Sequence, residues 1–214
     1  MMRNLILFLA AALLILTGCS EKENPMVEIE TRLGTMRVML YNSTPKHRDN
    51  FLKLAEEGFY DSTLFHRVIP GFMIQGGDPD SREAAPGQRL GIGGPGYQID
   101  AEIGAPHIRG VLAAARNNNP EKRSSGSQFY IVTGSPVTAE QLDQIEQNKG
   151  ITYNEAQRQL YLEQGGAPML DQEYTVFGEV VSGLEVADAI AEEAKDQFDR
   201  PYRNVRMTVR VLNK

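Results

Sequence analysis

A single cysteine, Cys19, three histidines and no tryptophan are found among 214 residues. One thiol cannot form an intrachain disulfide or a multi-thiolate metal site, so the fold has to rest on its apolar core. His47, His66 and His107 are scattered, with no carboxylate or thiol company at ligand spacing, so neither a metal nor a cofactor is expected. Basic charge is also short. Against 28 Asp and Glu there are 22 Lys and Arg, a formal charge of −6, which sets the chain against a polyanion such as nucleic acid. No apolar run is long enough to cross a bilayer as a helix, since residues 5–16 supply twelve positions where about 20 are needed.

That short run has a different use. It follows Arg3 and precedes Thr17-Gly18-Cys19, the three-part layout of a secretory leader. Leu16-Thr17-Gly18-Cys19 resembles the bacterial lipobox, in which lipid is attached to the cysteine before cleavage leaves that cysteine first. The resemblance implies a signal peptide over 1–18, lipid (palmitate) on Cys19, and a lipoprotein held on the non-cytoplasmic side of a bacterial envelope, periplasmic or at the outer membrane. Residues 20–25 (SEKENP) carry nothing to bury and read as a solvated tether over 19–25. The remaining domain, 26–214, is large enough for one core. The mature chain has 214 − 18 = 196 residues, and losing Arg3 takes its charge to −7.

From Met26 the pattern has period two. Val27 and Ile29 alternate with Glu28 and Glu30, and Met36, Val38 and Leu40 follow Gly34, which predicts a β-hairpin with one buried face. Thr44-Pro45 reads as an N-cap and first-turn proline, with Phe51, Leu52, Leu54 and Ala55 as an apolar stripe and Gly58 as the stop, predicting a helix over 45–57. Residues 60–133 alternate short apolar runs with glycine and proline, as short strands in tight loops do. A second helix is predicted around Val186, Ala187, Ile190 and Ala191, then a strand through Val205, Met207, Val209 and Val211. With no βαβ rhythm, these elements favour a mainly β protein built as a closed antiparallel barrel. Residues 138–166, rich in Glu, Gln and Leu, break the rhythm and read as an inserted helical hairpin, a solvated excursion from a loop.

Four segments share one resemblance. Residues 65–78 (FHRVIPGFMIQGGD) match the signature of the cyclophilins nearly residue for residue. Residues 110–116 (GVLAAAR), 126–131 (GSQFYI) and the pair Leu170-Asp171 with 174–178 (YTVFG) resemble the family's other site segments, in the same order. The resemblance implies a closed eight-stranded antiparallel β-barrel capped by two α-helices, peptidyl-prolyl cis-trans isomerase activity, proline-containing polypeptides as substrates, and a monomer. It makes Arg67 the catalytic arginine with Gln75 beside it. Phe72, Met73, Tyr130 and Leu170 would line the proline pocket, with Tyr174 at its edge, and Gln128, Ala115 and Arg116 would join Gln75 in holding the flanking backbone.

The chemistry accounts for those residue types. Rotation about an X–Pro bond crosses a barrier of about 18–20 kcal/mol without making or breaking a covalent bond. The twisted amide loses resonance and leaves a lone pair on the proline nitrogen. A guanidinium aimed at it therefore stabilises the twisted state more than the planar one, and that difference lowers a barrier. Arginine stays charged at any relevant pH and offers several donors in one plane. An apolar pocket excludes water and strengthens the contact.

Other chemistries fail on pattern. Ser127 lacks the G-x-S-x-G elbow of a serine hydrolase, and the glycines at 91, 93, 94 and 96 lack the Lys-Ser or Lys-Thr of a phosphate loop. The rival from another class is a non-catalytic proline-peptide-binding or chaperone module docking through the insert, and the intact Arg67 and Gln75 favour the enzyme. The sequence departs from much-studied eukaryotic cyclophilins at Met169, where they carry a tryptophan whose indole helps bind cyclosporin, and at Tyr174, Arg116 and Tyr130 in place of histidine, asparagine and phenylalanine. The Tyr130 hydroxyl must reach solvent or a partner.

Overall fold

The computed structural model describes residues 23–212; the expected leader over 1–18 and Cys19 lie outside them. Strands β1 (Met26–Thr31) and β2 (Gly34–Leu40) form the expected hairpin. Their register sets Val27 opposite Val38 and Ile29 opposite Met36, so one face of the ribbon is wholly buried. Helix α1 (Pro45–Glu56) starts on Pro45 and buries Phe51, Leu54 and Ala55. Thr44 holds the N-cap position, but its side chain makes no cap bond. The free amides at this end go to a distant carboxylate instead, with Lys46 N and His47 N donating to Glu102 at 3.1 Å each. A negative charge there also complements the helix dipole.

The chain then builds β3 (Arg67–Ile69), β4 (Met73–Gly76), β5 (Gln98–Ile99), β6 (Val111–Ala114), β7 (Ser124–Ser125), β8 (Phe129–Val132), β9 (Val176–Ser182) and β10 (Met207–Leu212). Eight of these form one antiparallel sheet in the order β10-β1-β2-β9-β6-β8-β4-β3, and β5 pairs separately with β7. The expected closed barrel is corrected here to an open, curled sheet. Its edges, β3 and β10, approach only through the isolated bridge Leu64–Arg206 and single backbone bonds such as Phe65 N to Val205 O at 2.9 Å. The cause is local. Pro70-Gly71 ends β3 after three residues, and Ser62 and Asp199 sit in the left-handed region at φ 64° and 63°, so β3 is too short and its flanks too bent for a continuous ladder with β10.

Because side chains alternate across the sheet, two apolar layers form. The inner one joins Val68, Ile74, Leu112, Phe129 and Ile131 to the hairpin, α1 and helix α4 (Leu184–Ala191). The outer one joins Met73, Val111, Ala113, Tyr130, Val132 and Val176 and is covered by segments near Ile108 and Leu170.

The insert contains helices α2 (Ala139–Lys149) and α3 (Glu155–Gln164), each opened by a complete capping box, Thr138 with Gln141 and Asn154 with Gln157. It leaves and rejoins the domain at one point, where Ser135 bridges Gly166. A side chain on Gly166 would collide with the His107 carbonyl, so glycine permits this close approach. The expectation of a solvated excursion is corrected: Leu142, Tyr153 and Tyr161 are buried in a third cluster with Ile108. Polar residues dominate the outside of the two helices, where Leu162 is 42% exposed, while Leu142 and Tyr161 face inward.

Candidate active site

The site sits on the outer face of the sheet. Register places Arg67 opposite Gln75 across β3 and β4, Gln75 opposite Tyr130 across β4 and β8, and Tyr130 opposite Ala113 across β8 and β6. One row across four strands thus presents a cation, an amide and an aromatic ring side by side. Met73 lies two residues from Gln75 on the same face, and Phe72 follows the turn at Gly71, which is left-handed at φ 67°. Leu170 ends a 3₁₀ turn over Pro168–Leu170, and Tyr174 stands four residues on.

These side chains enclose a cavity of about 130 Å³ lined by Arg67, Phe72, Met73, Gln75, Ala115, Arg116, Tyr130, Leu170 and Tyr174. At about 30 Å³ per water, that is the space of one small ring. Nine of the ten residues chosen from the sequence therefore meet in one place. The tenth, Gln128, lines an adjoining cleft of about 360 Å³ that shares Gln75, Ala115 and Arg116 and is walled by the 91–97 loop. Cavity and cleft form a continuous trough, suited to an extended chain with one ring inserted.

A hydrogen-bonded line ties the two together. Arg67 Nη1 donates to Gln75 Oε1 at 3.5 Å, Gln75 Nε2 to Gln128 Oε1 at 3.1 Å, and Gln128 Nε2 to the Gly93 carbonyl at 2.7 Å. Asp78, which closes the first motif, accepts from Gly91 N at 2.6 Å and Gly93 N at 3.3 Å and so folds the glycine loop against the cleft. The Arg67 guanidinium is part-exposed, and its nearest carboxylate, Asp199, is 3.9 Å from Nε while also paired to Lys195 at 2.9 Å. Its contacts within the chain are long, which leaves donors for another acceptor.

Arg116 is more heavily committed. Its Nε and Nη2 donate to Glu173 at 2.8 Å, and its guanidinium lies 4.9 Å over the Tyr174 ring, so it braces the rim. Met169 lies outside the cavity and is 54% exposed.

The Tyr130 hydroxyl finds a partner on its far side, His107 Nε2 at 2.9 Å, and the two rings stack with centroids 6.1 Å apart. His107 Nδ1 in turn meets Asp171 Oδ1 at 2.8 Å. Burial is the main force pushing the Tyr130 hydroxyl well above its ordinary pKa, so it stays protonated and able to donate. Sequence reasoning missed His107 and Asp171 as parts of the site. The only signal was that Asp171 stood inside the fourth motif, with no feature marking its partner. Among the described residues, no group of three or more His, Cys, Asp or Glu could hold a metal.

A ring-sized cavity with aromatic and aliphatic side chains and a cation in its wall, beside an open cleft, suits an extended polypeptide with one ring inserted. Residues 26–211 match the model of the cyclophilin type peptidyl-prolyl cis-trans isomerase family, and the chain belongs to that family. It is an isomerase of X–Pro peptide bonds. A Staphylococcus aureus protein named for the same activity is 35% identical over 185 residues, covering 84% of this chain and 87% of that one. A Streptococcus pyogenes protein named as a bifunctional phosphatase and peptidyl-prolyl isomerase is 38% identical over 184 residues, covering 85% of this chain, and the match spans 37% of that relative's length. Among solved structures, a Cryptosporidium parvum cyclophilin superposes with a TM-score of 0.64 at 25% identity, covering 89% of this chain and 99% of that one. A second crystal structure of it, in the presence of the dipeptide Ala-Pro, gives 0.62 at 25% identity over 88% and 99%.

Proposed function

We propose that Arg67 is the residue that catalyses X–Pro rotation, donating to the proline nitrogen as the amide twists, with the pyrrolidine ring held by Phe72, Met73, Tyr130 and Leu170. Gln75 orients the guanidinium, and Gln128, Ala115, Arg116 and Tyr174 guide the chain on either side. The observation that carries this reading is the convergence of the motif residues on one ring-sized cavity with Arg67 in its wall. Since one chain lines the whole cavity, the enzyme acts as a monomer in this reading.

The same proposal takes residues 1–18 as a leader removed before Cys19, lipid on that cysteine, and exported, still-unfolded chains as the clients. It is supported by the run at 5–16 and the Leu16-Thr17-Gly18-Cys19 sequence. Lipid on Cys19 predicts that Cys19→Ser moves the protein from the membrane fraction to the soluble one; unchanged fractionation would remove the anchor from this account.

The site is tested by the cis-to-trans rate of a short X–Pro peptide. Losing one preorganised donor to a developing charge lowers a rate by about 10²–10³, so Arg67→Ala is expected to lose that much in kcat/KM while its circular dichroism stays native. A variant as active as the parent would move the catalytic role elsewhere.

A further inference from the structure

The insert reaches the cavity through buried polar groups. Tyr161 and Tyr153 both direct their hydroxyls at Asp171 Oδ2, at 2.6 and 2.7 Å. The other oxygen of that carboxylate accepts from the His107 backbone N–H and meets Nδ1, each at 2.8 Å. Nε2 then meets the Tyr130 hydroxyl at 2.9 Å. Tyr161 and His107 are fully buried and Asp171 nearly so. A second grip comes from Lys149, at the end of α2, whose ammonium donates to the Met169 and Asp171 carbonyls at 2.7 and 2.6 Å and clamps the turn that carries Leu170.

Proton bookkeeping gives this network a direction. Burial, reinforced by the nearby Asp171 charge, keeps both insert tyrosines protonated, so they donate to the carboxylate. Asp171 accepts on both oxygens, so Nδ1 of His107 is the donor toward it and Nε2 faces the Tyr130 hydroxyl. The Tyr130 hydroxyl is bonded to Nε2. Its polar end is turned away from the cavity, and the ring alone faces the substrate. Two of the pocket's walls, Tyr130 and Leu170, are set by groups that the insert holds.

We propose that the 138–166 insert is a positioning element for the proline pocket, with Tyr153 and Tyr161 acting through Asp171 and His107 on the Tyr130 ring. This rests on the reading of the cavity as the proline site. Among the described residues no hydrogen bond or ion pair joins the insert to Arg67 or Gln75, so its contribution is to substrate binding and not to the rotation step. Removing both hydroxyls leaves a buried carboxylate oxygen without a donor, a penalty worth about a tenfold change in an equilibrium, and the network relaxes at the pocket wall.

The test uses the full-length protein, with kcat and KM for an X–Pro peptide measured separately for the parent, Tyr153→Phe, Tyr161→Phe, both together, and Arg67→Ala. The double phenylalanine variant keeps both rings. It is expected to raise KM about tenfold with kcat within about twofold, and to add little further when Tyr130→Phe has already cut the link. A purely structural role would lower the urea midpoint and leave KM in place, and that result overturns the proposal. Should the double variant fail to fold, Tyr153→Phe alone carries the same comparison with one hydroxyl lost. If Arg67→Ala loses activity while no phenylalanine variant moves KM, the insert's role falls and the cavity reading stands. If Arg67→Ala equals the parent, both fall.

Discussion

His66 stands next to Arg67, 4% exposed, with no hydrogen-bond partner for either ring nitrogen among the described residues. Burial is the main cause that lowers its pKa from 6.5 to about 4, against the opposing pull of the Asp78 charge. The sign follows from the lowered value. Between pH 6.5 and 4 the unfolded chain takes up a proton that the folded one refuses, so stability is lost as pH falls through that window and the loss levels off near its lower end. Going from pH 7 to 4.5, this one group costs about 2.5 kcal/mol. With a urea slope of about 2.5 kcal/mol per molar for a domain of this size, the midpoint drops by about 1 M. His66→Gln removes the titration and keeps a side chain of similar reach against Gly91. Urea unfolding of parent and variant at the two pH values isolates the term, because the carboxylates and His47, which is also pushed down chiefly by burial, contribute to both proteins alike. The parent is expected to lose about 1 M more than the variant. Equal losses would mean that His66 accepts its proton in the folded state, and the reasoning from burial would be wrong.

Two further outcomes follow from single contacts. Glu102→Gln weakens the cap on the first turn of α1 and should lower stability by about 1 kcal/mol, read as a urea midpoint at neutral pH; an unchanged midpoint would show that solvent satisfies those amides equally well. Met169, exposed at the rim and without an indole donor, predicts weak inhibition by cyclosporin with isomerase activity retained, and a nanomolar inhibition constant would contradict it.

Much of the fold was legible because its pattern is local. The alternation at Val27, Ile29, Met36 and Val38 became the hairpin face it predicted, and the stripe at Phe51, Leu54 and Ala55 became the buried side of α1. The residues of the cavity were legible through motifs, and their convergence has a simple cause: Arg67, Gln75 and Tyr130 occupy one row of the pleat. What escaped was decided at long range. Thr44 has the chemistry of a cap, yet the carboxylate that serves α1 lies at Glu102, a choice made by how two loops pack. The insert looked solvated because charged and amide residues dominate it, and composition does not reveal that Leu142, Tyr153 and Tyr161 all point the same way. The gap between β3 and β10 depends on left-handed turns at Ser62 and Asp199, neither of which is a glycine that would have announced it.

The place of β1 in the sheet bears on how the chain is made. It lies between β2, its neighbour in sequence, and β10, with Val27 facing Val211 and Ile29 facing Val209. In synthesis β2 follows β1 directly, whereas β10 comes after every other strand of the sheet. Until the last strand emerges, β1 shows one row of unpaired amides and carbonyls, and α1 lacks part of the surface it packs on. The native sheet is therefore completed only once β10 has been made, after every other strand of the sheet.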